Sequence, residues 1–192
     1  MSNYRKWVRF ILFLVSMFIV WYVVILFWAG MDRTRALRVF FTLFIYHVAV
    51  RIIWGLAVVD RIPLERFNPD RKRYQRKGFE TAYLKKVKVR KWKDSLPVAH
   101  PELWDVRERD MDDIVRASCQ AEMDHDGNIL LSLITIFFAR DAASLKLLLF
   151  TALSAAFVDY LFVLIQRFNR PRFIRYAEHV ERMARSEATD IS

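Results

Sequence analysis

Glycine is scarce: the 192-residue chain contains four. No G-x-S-x-G elbow, no phosphate-cradling glycine loop and no dinucleotide fingerprint occurs, which sets aside covalent serine catalysis of the hydrolase type and nucleotide chemistry. Cysteine is scarcer. Cys119 stands alone, so the chain has no internal disulfide framework and no paired-cysteine metal site, and it suits a reducing compartment. There are four histidines and no H-E-x-x-H motif. Acids are outnumbered, 21 against 31 Lys and Arg, for a net charge of +10. No internal repeat and no low-complexity tract is present.

What the chain has in excess is apolar and aromatic matter. Hydrophobic residues make up 55% and aromatics 15%, with 16 Phe and 6 Trp, while 27% of residues are still charged. Long apolar runs alternating with basic stretches define an integral membrane protein; a nucleic-acid binder would share the charge and lack the runs. The sequence therefore predicts one all-α membrane domain over 1–192, with partners among membrane lipids and no nucleic acid. Two N-terminal spans are expected at about 10–28 and 39–59, a third at 147–165, and a re-entrant or partial span at 129–138. That last run is too short to cross alone and is either re-entrant or a continuation of the preceding helix. The apolar stretch after "RKWVRF" is too long for a signal-peptide core and no A-x-A site follows, so it reads as an uncleaved helix. Trp7, Trp21, Tyr22 and Trp28 include interfacial anchors.

Between the spans lies a polar region, 60–126, that divides sharply. Residues 71–93 carry eleven Lys and Arg and one acid, Glu80; from Asp94 to Asp126 acids dominate. A basic stretch beside a membrane is drawn to anionic headgroups and to the cytoplasmic side. Phe79, Tyr83 and Trp92, interleaved with the bases, place it at the interface. The C-terminal "QRFNRPRFIRYAEHVERMARSE" is basic and helical in pattern. With both basic stretches cytoplasmic, 129–138 and 147–165 form a membrane helical hairpin. Pro97 and Pro101 break the chain before a helix over about 110–125, and Gly127-Asn128 is expected to stop or kink it.

Residues that could carry chemistry gather just before "ILLSLITIFF", in "AEMDHD". Glu122 and His125 lie three apart on one helix face, so the carboxylate can fix the imidazole tautomer and leave the other nitrogen to accept a proton from a hydroxyl. Asp124, His125 and Asp126 alternatively offer metal ligands; no metal is assigned. Arg90, Lys91 and Lys93 surround Trp92, and Arg167, Arg170 and Arg172 surround Asn169 and Pro171; guanidinium forks suit phosphates. His47, Arg51 and Asp159 are polar groups inside apolar spans. Arg51 either snorkels to the basic side or makes a polar contact within the bundle, and Asp159 either reaches water or has a functional role.

Three motifs in order, "KVRKWKDSLP", "AEMDH" and "VLIQRFNRPR", resemble the glycosyl-4,4'-diaponeurosporenoate acyltransferase family, small bacterial membrane enzymes that finish staphyloxanthin-type carotenoids. The resemblance runs from about Ile62 to Ile174 and is most specific at Gln166-Arg167 and Asn169-Arg170-Pro171-Arg172. It implies transfer of a fatty acyl chain to a sugar hydroxyl of a glycosylated carotenoid or similar glycolipid in the bacterial plasma membrane. The donor would be a thioester of coenzyme A or of acyl carrier protein, no further cofactor is implied, and enzymes of the same pathway are expected partners. In this setting His125 is the expected base and Glu122 its orienting partner. Arg90, Lys91, Lys93, Arg167, Arg170 and Arg172 are expected to hold the donor phosphates or the developing oxyanion, and Asn169 to donate to the thioester carbonyl. A non-enzymatic scaffold or lipid-binding accessory protein, and a metal-dependent membrane hydrolase, are the competing readings.

Overall fold

The structure is a computed structural model and describes residues 3–28, 32–97, 104 and 109–190, apart from the side chains at 3, 28, 143 and 184–190. The Trp28 side chain and the break expected at Pro101 lie outside the described residues. Six α-helices follow in order: α1 (Asn3–Trp28), α2 (Arg33–Trp54), α3 (Gly78–Lys86), α4 (Val89–Trp92), α5 (Met111–Ile134) and α6 (Ala142–Asp190). No strand occurs among the described residues.

Three segments are long and apolar enough to cross a membrane: Tyr4–Phe27, Arg33–Val59 and Ser144–Met183. Their outward faces are densely apolar. Leu12, Ile19 and Phe27 on α1, Ile45 and Ile53 on α2, and Leu153 and Phe157 on α6 are each more than half exposed. A water-soluble surface does not carry apolar area on this scale; hydrocarbon is its natural solvent. Asp32 caps α2, its carboxylate accepting from the Arg35 N–H at 3.0 Å. The helix ends in a π-turn over Gly55–Val59, where the Asp60 N–H reaches the Gly55 carbonyl at 2.9 Å. Ile25, Ala36, Leu43 and Leu147 knit α1, α2 and α6 at the far end of the bundle. Midway, the Trp21 indole N–H donates to Ser154 Oγ at 2.7 Å.

The apolar run 129–138 is not a separate re-entrant piece. It is the distal part of α5, which continues unbroken through Gly127-Asn128 to Ile134 and finishes in a 3-10 turn over Thr135–Phe138. The expected stop at Gly127-Asn128 is thereby corrected. Gly127 serves close approach: a Cβ there would lie 2.2 Å from the Trp54 ring, so α2 can press its indole onto the backbone of α5 only because the side chain is missing. The Tyr46 hydroxyl donates to the Leu131 carbonyl at 2.8 Å, fixing the same pair of helices. Leu130, Phe137 and Phe138 face outward with the rest of the apolar surface.

At the basic end, α6 continues past its apolar part as one 49-residue helix, with Pro171 inside it. Proline has no N–H for the carbonyl four residues back, so the Arg167 carbonyl loses its helical donor. Arg76 replaces it, its Nη2 donating to Arg167 O at 3.0 Å and Phe168 O at 3.4 Å. Leu84, Val89 and Leu164 are the buried centre of the contact between α3–α4 and α6, with Tyr83, Trp92, Tyr160 and Phe168 packed around them. The Tyr160 hydroxyl donates to that of Tyr83 at 2.8 Å.

Candidate active site

Two polar clusters lie where α5 and α6 pass each other near the basic end. The first is closed. Glu122, 0% exposed, accepts from Arg167 Nη2 at 2.8 Å and from Arg170 Nη2 at 2.6 Å. Arg170, 2% exposed, also donates Nε to Ser118 Oγ, Nη1 to the Tyr74 carbonyl and Nη2 to the Ser118 carbonyl, and its guanidinium lies over the Tyr74 ring. Arg167 holds Glu80 as well, and reaches the Arg73 carbonyl at 3.1 Å. Glu80 in turn accepts from the Lys77 N–H at the start of α3. The sole acid of the basic stretch is thus the tie between α3 and α6. The pattern is an alternating chain of charges, Glu80, Arg167, Glu122, Arg170, in which each buried charge has opposite partners. That is the condition under which buried ions are tolerated.

The second cluster is open. His125 Nδ1 lies 3.1 Å from Asp159 Oδ1, and Arg51 Nη2 lies 2.5 Å from Asp159 Oδ2. An ionised carboxylate only accepts, so Nδ1 is the donor to it, and in the neutral ring Nε2 is left with its lone pair. The Asp159 side chain is 6% exposed and that of His125 22%, so the acid is sheltered while the ring keeps an accessible edge. His125 stacks on Phe162, ring centroids 4.8 Å apart and 11° from parallel, and Phe162 meets Phe10 of α1 edge-on. Arg51 is held by the His47 carbonyl at 2.8 Å, Ser132 Oγ at 3.2 Å and the Ala155 carbonyl at 3.3 Å. It makes the polar contact within the bundle rather than reaching out to the basic side. Helical rise sets the level of this cluster. From their far ends, α2 reaches Arg51 after about 27 Å, α6 reaches Asp159 after about 26 Å, and His125 lies about 20 Å from Phe138. In a slab of about 30 Å all three groups sit toward its basic side.

The Glu122–His125 hydrogen bond expected from the i, i+3 spacing is not formed. Glu122 points at α6, where two guanidiniums take its oxygens; His125, one turn on, finds Asp159 instead. Arg167 and Arg170, expected at the donor, are spent on carboxylates and carbonyls. Asn169 is half-buried on α6 and has no side-chain hydrogen bond among the described residues. Lys93 pairs with Asp94 at 2.7 Å. Asp126 meets Arg73 at 3.2 Å. His47 is 3% exposed, set edge-on against Trp21 and Tyr46, and neither ring nitrogen has a partner among the described residues. Asp124 is half-buried, its Oδ1 buried and without a partner among the described residues; desolvation, then the nearby Asp159 and Asp60, push its carboxyl above the usual range, against the pull of His125 and Arg51. No group of three or more His, Cys, Asp or Glu among the described residues is disposed to hold a metal ion.

Arg90, Lys91 and Arg172 do converge. They line one cavity of about 390 Å³ between α3, α4 and α6, together with bases the sequence did not single out. The signal for those was present only in part: the charge run was legible, but which of its members turn toward α6 depends on the turn at Lys88. Asp159 had been marked as an intramembrane acid; its partnership with His125 spans 34 residues and no local spacing could announce it.

An all-helical protein with membrane-length apolar helices, carrying a carboxylate-oriented imidazole at one end of its bundle, is the class these features define. The chain belongs to the glycosyl-4,4'-diaponeurosporenoate acyltransferase family, whose family model matches residues 70–179, more than half of its length. The match takes in α3 to α6 with Glu80, Glu122, His125, Asp159, Arg167 and Arg170, and leaves out α1 and α2 with His47 and Arg51. No curated protein and no solved structure matches the chain.

Proposed function

We propose that this protein is a multi-pass enzyme of the bacterial plasma membrane that transfers a fatty acyl chain from a thioester to a sugar hydroxyl of a glycosylated carotenoid or similar glycolipid. Family membership supports the reaction class, and the observation that carries the mechanism is the pairing of His125 Nδ1 with the sheltered Asp159. Asp159 holds the ring in the tautomer that leaves Nε2 basic, and Arg51 holds Asp159. The acceptor hydroxyl attacks the thioester carbonyl as Nε2 takes its proton; the new C–O bond forms, the C–S bond breaks, and the proton on Nε2 passes to the departing thiolate. Glu122 organises the fold around this centre. The level of His125, toward the basic side of the bilayer, lets a lipid-borne acceptor present its sugar at the interface while its chain stays in hydrocarbon. The basic region and the C-terminal helix lie in the cytoplasm, where thioester donors are made.

The test is mass spectrometry of lipids from acceptor-producing cells expressing the wild type or His125→Asn. The expected result is a lipid heavier by one acyl unit in the wild type alone, with the variant inserted at equal level. An equal amount of acylated lipid in the variant would remove His125 from the reaction, and its absence from both would favour a scaffold or accessory role.

A further inference from the structure

We infer that the basic cavity between α3, α4 and α6 is a binding site for the phosphorylated nucleotide end of a coenzyme A thioester, so that the donor is a small nucleotide-bearing thioester and not an acyl carrier protein. Among the described residues, seven cations line the cavity and no carboxylate does. Arg76 and Lys85 come from α3 and the segment before it, Lys88 from the turn, and Arg90 and Lys91 from α4. Arg172 and Arg175 close it from α6. Such a density of like charge is self-repelling, and an anion of several charges relieves it. The bases come from three separate segments onto one concavity, and about 390 Å³ is the scale of a small-molecule site. A carrier protein would need an extended surface instead.

Three local features show that the cavity is built. Arg172 Cζ lies over the Phe168 ring, 3.8 Å from its centroid, which holds one guanidinium in the wall. Arg76 is anchored through Nη2 to two backbone carbonyls, yet its buried Nε has no hydrogen-bond partner among the described residues. A buried, unpartnered guanidinium N–H beside a cationic cavity is a donor waiting for an acceptor. Lys88 has a left-handed backbone, φ 52°, and is the sole non-glycine residue with positive φ among those described. Glycine would take that conformation without strain, yet the residue here is a lysine that lines the cavity. Along α6 the cavity residues Phe168 and Arg172 lie about 9 and 15 Å from Phe162, the residue stacked on His125. An extended pantetheine arm can cover such a distance. Coenzyme A offers both a diphosphate and a ribose phosphate to a cluster of this size, and forked guanidiniums match them in geometry.

This inference rests on the acyl-transfer reading for its donor, but its test does not need turnover. The full-length protein in zwitterionic detergent is titrated calorimetrically with coenzyme A, 3'-dephospho-coenzyme A and pantetheine. Binding is expected to weaken in that order, with pantetheine silent, and to fall with added salt. Arg90→Gln should weaken coenzyme A binding by about tenfold or more, the loss of one charge-assisted contact. Lys88→Gly should weaken it similarly while keeping or raising the unfolding temperature, a combination that a merely structural lysine does not give. Equal binding of pantetheine and coenzyme A overturns the inference. So does the absence of coenzyme A binding with retention of phosphatidylglycerol vesicles, which would make the cavity a lipid headgroup site, or with turnover from acyl carrier protein alone. Coenzyme A bound normally by wild type and His125→Asn, with no acyl transfer by either, would uphold the site and sink the reaction reading.

Discussion

At the residue scale, three ionisable side chains in neighbouring turns of α5 have three fates set by what faces them. Glu122 meets two guanidiniums and is wholly buried. His125 meets one carboxylate and keeps an open edge. Asp124 is half-buried with a buried Oδ1 that has no partner among the described residues, and its carboxyl is raised by that desolvation. A carboxyl whose pKa is higher folded than unfolded favours the fold in its protonated form. That contribution is complete below the unfolded value and lost as pH rises through the folded one. Asp124→Asn should therefore raise the unfolding temperature at neutral pH more than in mild acid, as thermal shift in detergent would show. An equal shift at both would deny the burial its effect. Cys119, 0% exposed and set beside Phe67 and Tyr74, has its thiol pushed up to about 11, first by burial. It should resist maleimide in the folded protein at neutral pH and label fully on denaturation. The sequence placed these residues on the right helix. It could not say which of them face α6, because Glu122, Asp124 and His125 differ only by rotation and the partners lie 34 to 48 residues on.

At the element scale, α5 shows how a polar helix enters an apolar bundle. Its first turns carry Asp112 and Asp113, favourable at a helix N-terminus. Its middle satisfies its charges against α6, and its last turns are lipid-like. Read by composition alone, Gly127-Asn128 marked a stop or a kink. The ten apolar residues that follow were either re-entrant or a continuation of the same helix, and α5 shows the continuation. The glycine was a correct signal with the wrong cause, because close packing by Trp54 cannot be told from a helix stop without knowing the neighbour. Gly127→Ala should cost about 1–3 kcal/mol by overpacking, seen as a lower unfolding temperature. Trp54→Leu in the same chain should restore part of it. No loss in the single variant would mean that the indole does not sit on the helix backbone. Pro171 is the converse case. The helical pattern expected across it holds, and α6 runs through it with Arg76 supplying the missing donor from a distant segment.

At the scale of the whole molecule, the charge asymmetry legible in the sequence corresponds to a division of labour. Apolar helices hold the polar trio Arg51, Asp159 and His125 at one level, while the basic end carries the closed ion network and the cationic cavity. The long apolar spans and the hairpin were readable because membrane helices are specified by local composition. The site was readable only as a list of residues, because its geometry is made by contacts between α2, α5 and α6. The central claim is that Asp159, and not Glu122, orients the catalytic imidazole. Its most direct test is the rate of acyl transfer per folded molecule for Asp159→Asn and Glu122→Gln, with the folded fraction quantified by size-exclusion chromatography in detergent. The account predicts that Asp159→Asn folds and loses about 10²–10⁴ in rate, the range of a general base deprived of its proper tautomer. It predicts that Glu122→Gln yields much less folded protein, in keeping with about 3–5 kcal/mol for breaking a buried ion pair, while the molecules that do fold keep their rate. The reverse pattern, with Asp159→Asn fully active and Glu122→Gln folded but inactive, would contradict it.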